Sequence, residues 1–212
     1  LKMNCQTNPP GGSYCANCEV TGIPLSILLG QAGVQTAANT LNCVSDDGWV
    51  YPLPMSYYSA GNDPLIVYEI NGEPLRGIHG YPVQLWTPGL GGVHFTKRLA
   101  KIELAENAVE PNLFIGFTNP KTGDFFNKPN CAIFYYANGQ IFPAGQPIPF
   151  EGFVDAYDQT VTALEISLDR GKTWTSFPIE GADTDRWVHW NFTWTPENTG
   201  SYVLKVRGVS AE

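Results

Sequence analysis

Apolar positions follow a helical spacing in one segment near the start of the chain and a strand-like spacing in most other segments. Residues 22–33, GIPLSILLGQAG, place apolar side chains along one helix face, with Pro24 in the first turn, and so predict a helix. Short apolar runs that end at turn formers predict β-strands. These runs are LNCV (41–44), LIVYEI (65–70), PVQLW (82–86), LAKIEL (99–104) and CAIFYY (131–136).

A second region follows the stretch ANGQIFPAGQPIP (137–149), which has many turn formers and little charge and is the best candidate for a linker. Beyond it, apolar runs recur at short spacing, as in an all-β sandwich. Four of the six tryptophans lie there, and we interpret them as core and cross-strand contacts rather than a ligand-stacking surface. The sequence predicts an α+β chain, mainly β, with domains 1–140 and 141–212. The later runs are FVDAYD, VTALEISL, TWTSFPI, WVHWNFTW and YVLKVRG.

Composition limits the classes of partner. Twelve basic and twenty acidic side chains give a net charge of −8, which provides no general attraction to nucleic acid or to an anionic membrane surface. No apolar run approaches the roughly 18 to 20 residues that span a bilayer. We therefore expect no nucleic-acid partner and no membrane span in this chain. With 43% apolar residues, the chain can bury a sizeable core.

The five cysteines are an odd number, so at least one thiol is not in a disulfide within the chain. Cys15 and Cys18 form a CxxC motif, which occurs in zinc half-sites and in redox pairs. The sequence offers no second paired spacing for zinc, and residues 19–22 separate the motif from the predicted helix, unlike in redox proteins. Structural cysteines are therefore the simpler interpretation, and a thiol or zinc protein stays as an alternative.

A glycine-rich segment, TPGLGGVHFTK (87–97), carries the next candidate chemistry. Its backbone N–H groups could approach an anion closely, and Lys97 adds a positive charge, so together they could hold a phosphate. The spacing is neither that of a P-loop nor that of a dinucleotide fingerprint. On local chemistry alone, a plain loop with a solvated lysine is the simpler explanation of the segment, because glycine clusters are common in β-rich proteins. His79 taken singly is more typical of a hydrogen-bonded structural histidine.

Read together, the motifs resemble the sulfite-oxidase family of molybdopterin-binding oxidoreductases. Their order and spacing extend over about a hundred residues, which makes chance agreement improbable. Residues 150–208, with EISLDRGKTW, resemble the immunoglobulin-like dimerisation domain that follows in this family. The motifs are CQTN (5–8) with Gly11-Gly12, GIPL (22–25) with Gly33-Val34, DGW (47–49) with Leu53-Pro54, and YEINGEPL (68–75) followed by HGYP (79–82), Pro88-Gly89, Gly92 and Lys97.

The resemblance implies a molybdenum-cofactor-dependent oxidoreductase that transfers an oxygen atom and exchanges electrons with a separate carrier. It makes Cys5 the protein ligand of molybdenum and a catalytic residue, since a thiolate suits a sulfur-rich coordination sphere. Asn8 of the same motif is implied to bind the cofactor. The pterin and its phosphate are implied to be held by His79, Gly92 and Lys97.

Three departures from the family pattern affect the site. Gln84 stands where many members have an arginine that binds the cofactor, so it takes that cofactor-binding position without the charge. Pro9 and Pro10 replace arginines that bind the anionic substrate in sulfite oxidases. Trp49 takes the catalytic place of a tyrosine, so no phenol is available there as an acid or donor. The sequence therefore argues against sulfite as the substrate.

Family members have about a hundred residues before the CxxN motif, whereas here four precede it. We therefore expect a truncated sulfite-oxidase-type molybdopterin-binding domain followed by an immunoglobulin-like β-sandwich, with the cofactor absent from the fragment. The expected partners of the full-length protein are a small oxo-acceptor or oxo-donor substrate, an electron-carrier protein and a second copy of the chain. Export to the periplasm is expected, and a cytoplasmic location stays open. The alternative function is a non-catalytic binding module.

Overall fold

The computed structural model describes residues 1–5, 8–35, 37–107, 129–157 and 159–211. It divides into two compact units, here called the first unit (Leu1–Gln6 and Ala16–Phe126) and the second unit (Thr7–Cys15 and Asn127–Glu212). The described residues are mainly β, as predicted, and their helices are few. The helices are α1 (Leu25–Ala32), α2 (Met55–Ser59) and two short 3-10 segments, Gly77–His79 and Gly92–His94. No helix among the described residues is long and apolar enough to cross a membrane.

The first unit contains a four-stranded sheet, a three-stranded sheet and a two-stranded sheet, except that Cys15 of the last is grouped with the second unit. Its strands are β1 (Lys2–Asn4), β2 (Cys15–Asn17), β3 (Val20–Pro24), β4 (Thr40–Ser45), β5 (Val50–Pro54), β6 (Leu65–Ile70), β7 (Glu73–Pro74), β8 (Gln84–Trp86) and β9 (Leu99–Ala105). In the largest sheet, β6 pairs antiparallel with β3, β7 and β8. In the three-stranded sheet, β4 lies between β5 and β9, and β1 pairs with β2.

Helix α1 begins after Pro24 and ends at Gly33, whose φ of 67° is the left-handed conformation common at helix ends. The predicted helix over 22–33 therefore starts too early. The reason is that Gly22 belongs to β3, where a Cβ on it would lie 2.8 Å from the backbone oxygen of Ile66 in β6. Pairing between β3 and β6 determines the conformation there, and the helical spacing of the apolar residues applies only further along.

Strand β8 of the four-stranded sheet is buried on both faces. On one face, Leu85 packs with Leu25 of α1 and Leu41 of the three-stranded sheet in the largest apolar cluster of the first unit. On the other face, Trp86 and Val67 belong to a second cluster. Because Leu85 and Trp86 are neighbours on β8, their side chains point to opposite faces. The sheet thus separates a purely apolar core from a face that carries polar groups as well.

The second unit consists of two three-stranded antiparallel sheets that contribute to one apolar cluster. Its strands are β10 (Asn130–Ile133), β11 (Ile148–Asp155), β12 (Val161–Ser167), β13 (Thr175–Pro178), β14 (Val188–Trp194) and β15 (Lys205–Ser210). The strand orders are β10-β11-β14 and β13-β12-β15. Val154 of β11, Leu164 of β12 and Trp190 of β14 meet in this cluster. The sheets therefore share one core.

The predicted division into 1–140 and 141–212 differs from the two compact units. Strand β10 precedes the predicted boundary, yet it pairs with β11, which follows it. Residues 7–15 are also grouped with the second unit. Residues 137–147 of the predicted linker lie between β10 and β11, whereas residues 148 and 149 belong to β11. Turn-forming composition carries no information on whether the flanking strands share a sheet. As a statement about domains, the division stays a prediction.

Each apolar run predicted as a strand contains a strand or part of one. LIVYEI coincides with β6, and VTALEISL contains β12, whereas PVQLW is extended only over β8. The sequence did not predict β1, β2, β3, β5, β7 or α2. These elements have two to five residues, too few for hydrophobic periodicity to appear.

Candidate functional site

Lys97 lies against the turn that contains His79. Its ammonium donates a hydrogen bond to the backbone oxygen of Ile78 (3.1 Å). Gly80, with a φ of 93°, allows this approach, because a Cβ at Gly80 would lie 2.8 Å from the Lys97 Cβ. Both His79 and Lys97 are exposed, so their polar groups can reach a ligand. The structure therefore brings together the histidine turn and the lysine that the sequence assigned to the cofactor.

Arg98 connects this turn to the loop that contains Trp49. Its side chain donates to Asp46 and to Asp47, each at 2.5 Å. Its backbone N–H donates to the Gly80 oxygen (3.3 Å), and its own carbonyl accepts from the Asp46 N–H (3.0 Å). Arg98 adopts a φ of 47°, which is uncommon for a residue with a side chain. One residue thus joins the loop at 45–49 to the turn at 77–80.

Trp49, the predicted catalytic residue, is 58% exposed. The Asp47 carboxylate accepts the Trp49 backbone N–H (3.1 Å), and the Trp49 carbonyl accepts the Ser45 N–H (2.8 Å). The first of these bonds is the main reason why the pKa of Asp47 lies below its usual value, with Ser45 and Arg98 adding to the effect. Asp47 is therefore a charged anchor for the backbone of this loop.

Gln84, the predicted cofactor residue on β8, is buried. Its Nε2 has no hydrogen-bond partner among the described residues, and the same holds for Trp86 Nε1. The hydroxyls of Thr87 and Thr96 are likewise buried and unpartnered within the described part of the chain. Buried polar groups are normally paired. This concentration of unpaired groups around β8 is the strongest sign of a ligand-facing region in the first unit.

Gly92 packs beside β1, the strand that leads to Cys5. A Cβ at Gly92 would lie 3.6 Å from the Asn4 oxygen and 3.7 Å from the Met3 Cγ. Met3 packs against the cluster that contains Trp86. Cys5 follows β1 directly, is partly buried and forms no disulfide. The predicted metal ligand and the predicted glycine turn therefore lie in neighbouring segments.

His94 is fully buried, and no motif in the sequence assigns it a role. Its Nδ1 lies 3.0 Å from the Gly91 oxygen, which can only accept, so Nδ1 carries the proton. The ring meets Tyr51 edge to face, with 5.0 Å between ring centroids. Burial raises the pKa of Tyr51 to about 12. The contact between His94 and Tyr51 packs the end of the short segment Gly92–His94 against β5. Neither periodicity nor a motif in the sequence indicates this contact.

Asn8 belongs to the second unit and is buried in the loop that follows Cys5 in the chain. Its amide donates to the Gly12 oxygen (3.3 Å) and accepts from the Tyr14 N–H (3.1 Å). A Cβ at Gly12 would lie 2.2 Å from the Asn8 side-chain oxygen, so only glycine fits there. In this structure Asn8 shapes its own loop, and its predicted contact with the cofactor stays a prediction.

Asn130 on β10 holds the same loop from the other side. Its side chain accepts from the Gly11 N–H (3.1 Å) and donates to the Pro9 oxygen (3.2 Å). Pro9 also accepts from the Gly12 N–H (2.8 Å), and Gly11 has a φ of 74°, which is the geometry of a type II turn. The sequence shows the turn, but Asn130 is 119 residues from Gly11 and gives no local signal.

The remaining cysteines are poor candidates for thiolate chemistry. Burial raises the pKa of Cys15 to about 11, with Asp155 adding to the effect, and it also raises the pKa of Cys18. Burial raises the pKa of Cys131 to about 11 and that of Cys43 to about 12. Thiols with raised pKa values are weak nucleophiles and weak ligands. No group of three or more His, Cys, Asp or Glu side chains is placed to hold a metal ion within the described ranges.

Residues 1–113 match the protein family described as the oxidoreductase molybdopterin binding domain. The chain is 27% identical to human mitochondrial sulfite oxidase over 134 residues, which covers 56% of this chain and 24% of that protein. It is 33% identical to the NADPH nitrate reductase of Phytophthora infestans over 203 residues, covering 77% of this chain and 22% of that enzyme. The chain therefore spans about a quarter of the length of these relatives.

The fold also matches a solved structure. The sulfane dehydrogenase SoxCD from Paracoccus pantotrophus superimposes with a TM-score of 0.81 at 25% sequence identity. The match covers 100% of this chain and 60% of that chain. The similarity in structure thus extends beyond residues 1–113 and includes the second unit.

Proposed function

Because the chain belongs to the family of the oxidoreductase molybdopterin binding domain, we propose that it forms part of the cofactor site of a molybdenum-dependent oxidoreductase that transfers an oxygen atom. The observation that carries the proposal is the contact between Lys97 and the turn at Ile78–Gly80. This contact unites a cation with a glycine-containing turn, as an anionic phosphate requires. The sequence separates these groups by 17 residues or more, and the fold brings them together.

The residues present fit such a cofactor on two counts. Gly80 lets the Lys97 segment pack directly against the histidine turn, because a Cβ there would lie 2.8 Å from the Lys97 Cβ, and this close packing holds the ammonium beside the turn. Gln84 offers a buried amide N–H₂ that has no acceptor among the described residues. The donors around this site are an ammonium, an amide and backbone N–H groups, which suit a phosphate and a polar heterocycle.

We assign the roles as follows. Cys5 would bind the metal through its thiolate, which is a soft ligand suited to molybdenum in a sulfur-rich sphere. Lys97 and the His79 turn would hold the phosphate, while Gln84 and Gly92 would line the pterin. When bound, the cofactor supplies the two-electron chemistry of oxygen-atom transfer, which no side chain of this chain can supply.

Trp49 would lie on the substrate side. Its indole has a donor but no acidic hydroxyl, so it can orient a substrate and exclude water without transferring a proton. Asp46, Asp47 and Arg98 hold its loop in place. The loop at residues 8–14 carries no charged side chain, with Pro9 and Pro10 where sulfite oxidases have arginines. These features favour a small oxo donor or acceptor other than sulfite.

Further parts of the proposal concern the whole protein. We propose that the second unit is an immunoglobulin-like sandwich, because its two sheets share one core. We also propose that it dimerises, as the resemblance of residues 150–208 to the dimerisation domain of the family implies. Electrons would pass to or from a separate carrier protein, since oxygen-atom transfer changes the metal by two electrons. Export to the periplasm is proposed as well. Light scattering and cell fractionation of the natural-length protein test the dimer and the location.

The decisive experiment measures molybdenum and pterin in the protein at its natural length, produced in cells that make the cofactor. We expect about one molybdenum per chain in the wild type and almost none in Cys5→Ser, because a hydroxyl is a poor ligand for a soft site. Cys43→Ser is the matched control, since Cys43 is buried in the apolar core. Absence of both metal and pterin from the wild type would support the non-catalytic binding module instead.

The same measurement on the 212-residue chain alone tests the expectation that this part holds no cofactor. A stoichiometric metal content there would contradict that expectation. Zinc analysis in parallel tests the remaining alternative. A zinc content that disappears in the double variant of Cys15 and Cys18 would favour a thiol-bound metal.

A further inference from the structure

Two side chains on β8 present unpaired N–H groups on the same face of the four-stranded sheet. Gln84 lies opposite Val67, and Trp86 lies opposite Leu65, in the antiparallel register with β6. Residues two apart on a strand share a face, so the Gln84 amide and the Trp86 indole point the same way. Each of these residues is 1% exposed. Gln84 Nε2 and Trp86 Nε1 both lack an acceptor among the described residues.

Two other indoles of this chain, one buried and one partly buried, donate to backbone oxygens. Trp190 Nε1 donates to the Phe153 oxygen (3.0 Å), and Trp174 Nε1 donates to the Gly171 oxygen (3.1 Å). Burying an N–H group without an acceptor costs free energy, because the bond to water is lost and not replaced. The fold therefore has the means to satisfy an indole and does not do so at Trp86.

The position of this face suggests the acceptor. Trp86 packs against Phe95, with ring centroids 5.0 Å apart, and Phe95 is followed closely by Lys97. Met3 of β1 packs on the same cluster, and β1 leads to Cys5. The two unpaired donors are thus flanked by the segment of the predicted phosphate ligand and by the segment of the predicted metal ligand.

We propose that Trp86 is a cofactor-binding residue, and that its indole N–H and the Gln84 amide donate hydrogen bonds to the ring acceptors of the pterin. This inference rests on the proposed function. A pterin ring carries nitrogen and carbonyl acceptors along its edge, and two donors spaced along one strand match such an edge. Gln84 lacks the positive charge of the arginine that many family members have at this position. The indole N–H of Trp86 would supply a second hydrogen-bond donor beside it.

The test is Trp86→Phe in the natural-length protein, with two measurements. Phenylalanine keeps an aromatic ring beside Phe95 and removes the N–H. We expect the pterin to be retained about tenfold less well on dilution, as for the loss of one buried hydrogen bond. The melting temperature of the cofactor-free protein should fall less than in Trp190→Phe, because both variants lose the same ring volume and only Trp190 also loses a hydrogen bond.

Trp190→Phe is the matched control. It breaks an existing bond to Phe153, so it should lower the melting temperature and leave pterin retention unchanged. Gln84→Leu serves as a second variant with the same expected pattern as Trp86→Phe, should the smaller ring at position 86 prevent folding. Loss of a ligand-facing donor should lower pterin retention, whereas loss of a structural donor should lower the melting temperature and leave retention unchanged.

The outcomes are distinct. If the wild type retains pterin and both Trp86→Phe and Gln84→Leu retain it equally well, the inference is wrong and the proposed function stands. A fall in cofactor-free melting temperature as large as that of Trp190→Phe would show that the Trp86 N–H has a protein partner, which also overturns the inference. A wild type without pterin contradicts the proposed function and this inference together.

Discussion

The two units differ in whether the protein itself supplies hydrogen-bond partners for certain polar side-chain groups. In the second unit, the Trp190 indole and the Asp169 carboxylate find partners nearby, the latter accepting from two backbone N–H groups and the hydroxyls of Ser167 and Thr173. In the first unit, Gln84 and Trp86 are each 1% exposed, and their side-chain N–H groups lack partners among the described residues. Internal satisfaction is typical of a scaffold, whereas unpaired buried donors indicate a ligand. Within one chain, this difference identifies the region to test first.

The largest expected effect concerns Cys5 in the first unit. Cys5→Ser should reduce molybdenum in the natural-length protein by more than about tenfold, because the thiolate is the proposed metal ligand. Mass spectrometry of the metal content measures the change. Unchanged content in Cys5→Ser would break the assignment of the site to the first unit, and a comparable loss in Cys43→Ser would point to unfolding as its cause.

The next prediction tests whether the second unit depends on internal pairing. Asn130→Ala should lower the free energy of unfolding by about 2 kcal/mol, since the Pro9 oxygen and the Gly11 N–H each lose a buried partner. Urea unfolding of the cofactor-free protein measures it. Asn138→Ala, in a turn of the same unit, is the control, with no change expected. Equal stabilities of Asn130→Ala and the wild type would contradict the role of Asn130.

A pH dependence should distinguish Asp169 in the second unit. The Thr173 N–H and hydroxyl and the Ser167 hydroxyl hold the pKa of Asp169 well below its usual range. A lowered folded-state pKa adds stability above the unfolded-state pKa near 4, and this stability is lost as the pH falls through the folded value. Asp169→Asn should therefore melt lower than the wild type at pH 7, with a difference that narrows steadily below pH 4. A difference independent of pH would contradict this account.

The smallest expected effect concerns the Arg98 connection in the first unit. Arg98→Ala removes the contacts with Asp46 and Asp47, so the amide of Trp49 should exchange its hydrogen several-fold faster, while the global stability changes little. Hydrogen exchange read by mass spectrometry follows residues 45–50. Arg186→Ala removes a similar exposed pair with Asp183 in the second unit and should leave the exchange at 45–50 unchanged. Equal exchange in both variants would show that the loop does not depend on Arg98.

The sequence predicted those parts of the fold that are encoded locally. Strand β6 follows from the apolar run LIVYEI and the Asn-Gly turn after it, and both are contiguous. The start of α1 was misplaced because the pairing of Gly22 with a strand more than forty residues away overrides its helical pattern. Periodicity reports on neighbours in sequence and not on such distant partners.

In the candidate site too, the sequence indicated residues with local patterns and missed residues whose partners are distant in sequence. Motifs indicated Cys5, His79 and Lys97, because their neighbouring residues form recognisable patterns. Arg98 and Asn130 were missed, since the partners that give them a role are 51 and 119 residues away. The unpaired indole of Trp86 was missed as well, because an absent partner has no signature in the sequence.

The exposure of Trp49 has a practical consequence. Among the six tryptophans, all of which lie in described residues, it is the one that is more than half exposed, whereas Trp86 and Trp190 are buried. Its fluorescence should therefore dominate the part of the emission that acrylamide quenches. In a Trp49→Phe background that quenchable part disappears, so the difference between the two proteins isolates a single optical reporter beside Arg98. Binding of a molecule near Trp49 can then be followed by the change in this fluorescence, without turnover and without the metal.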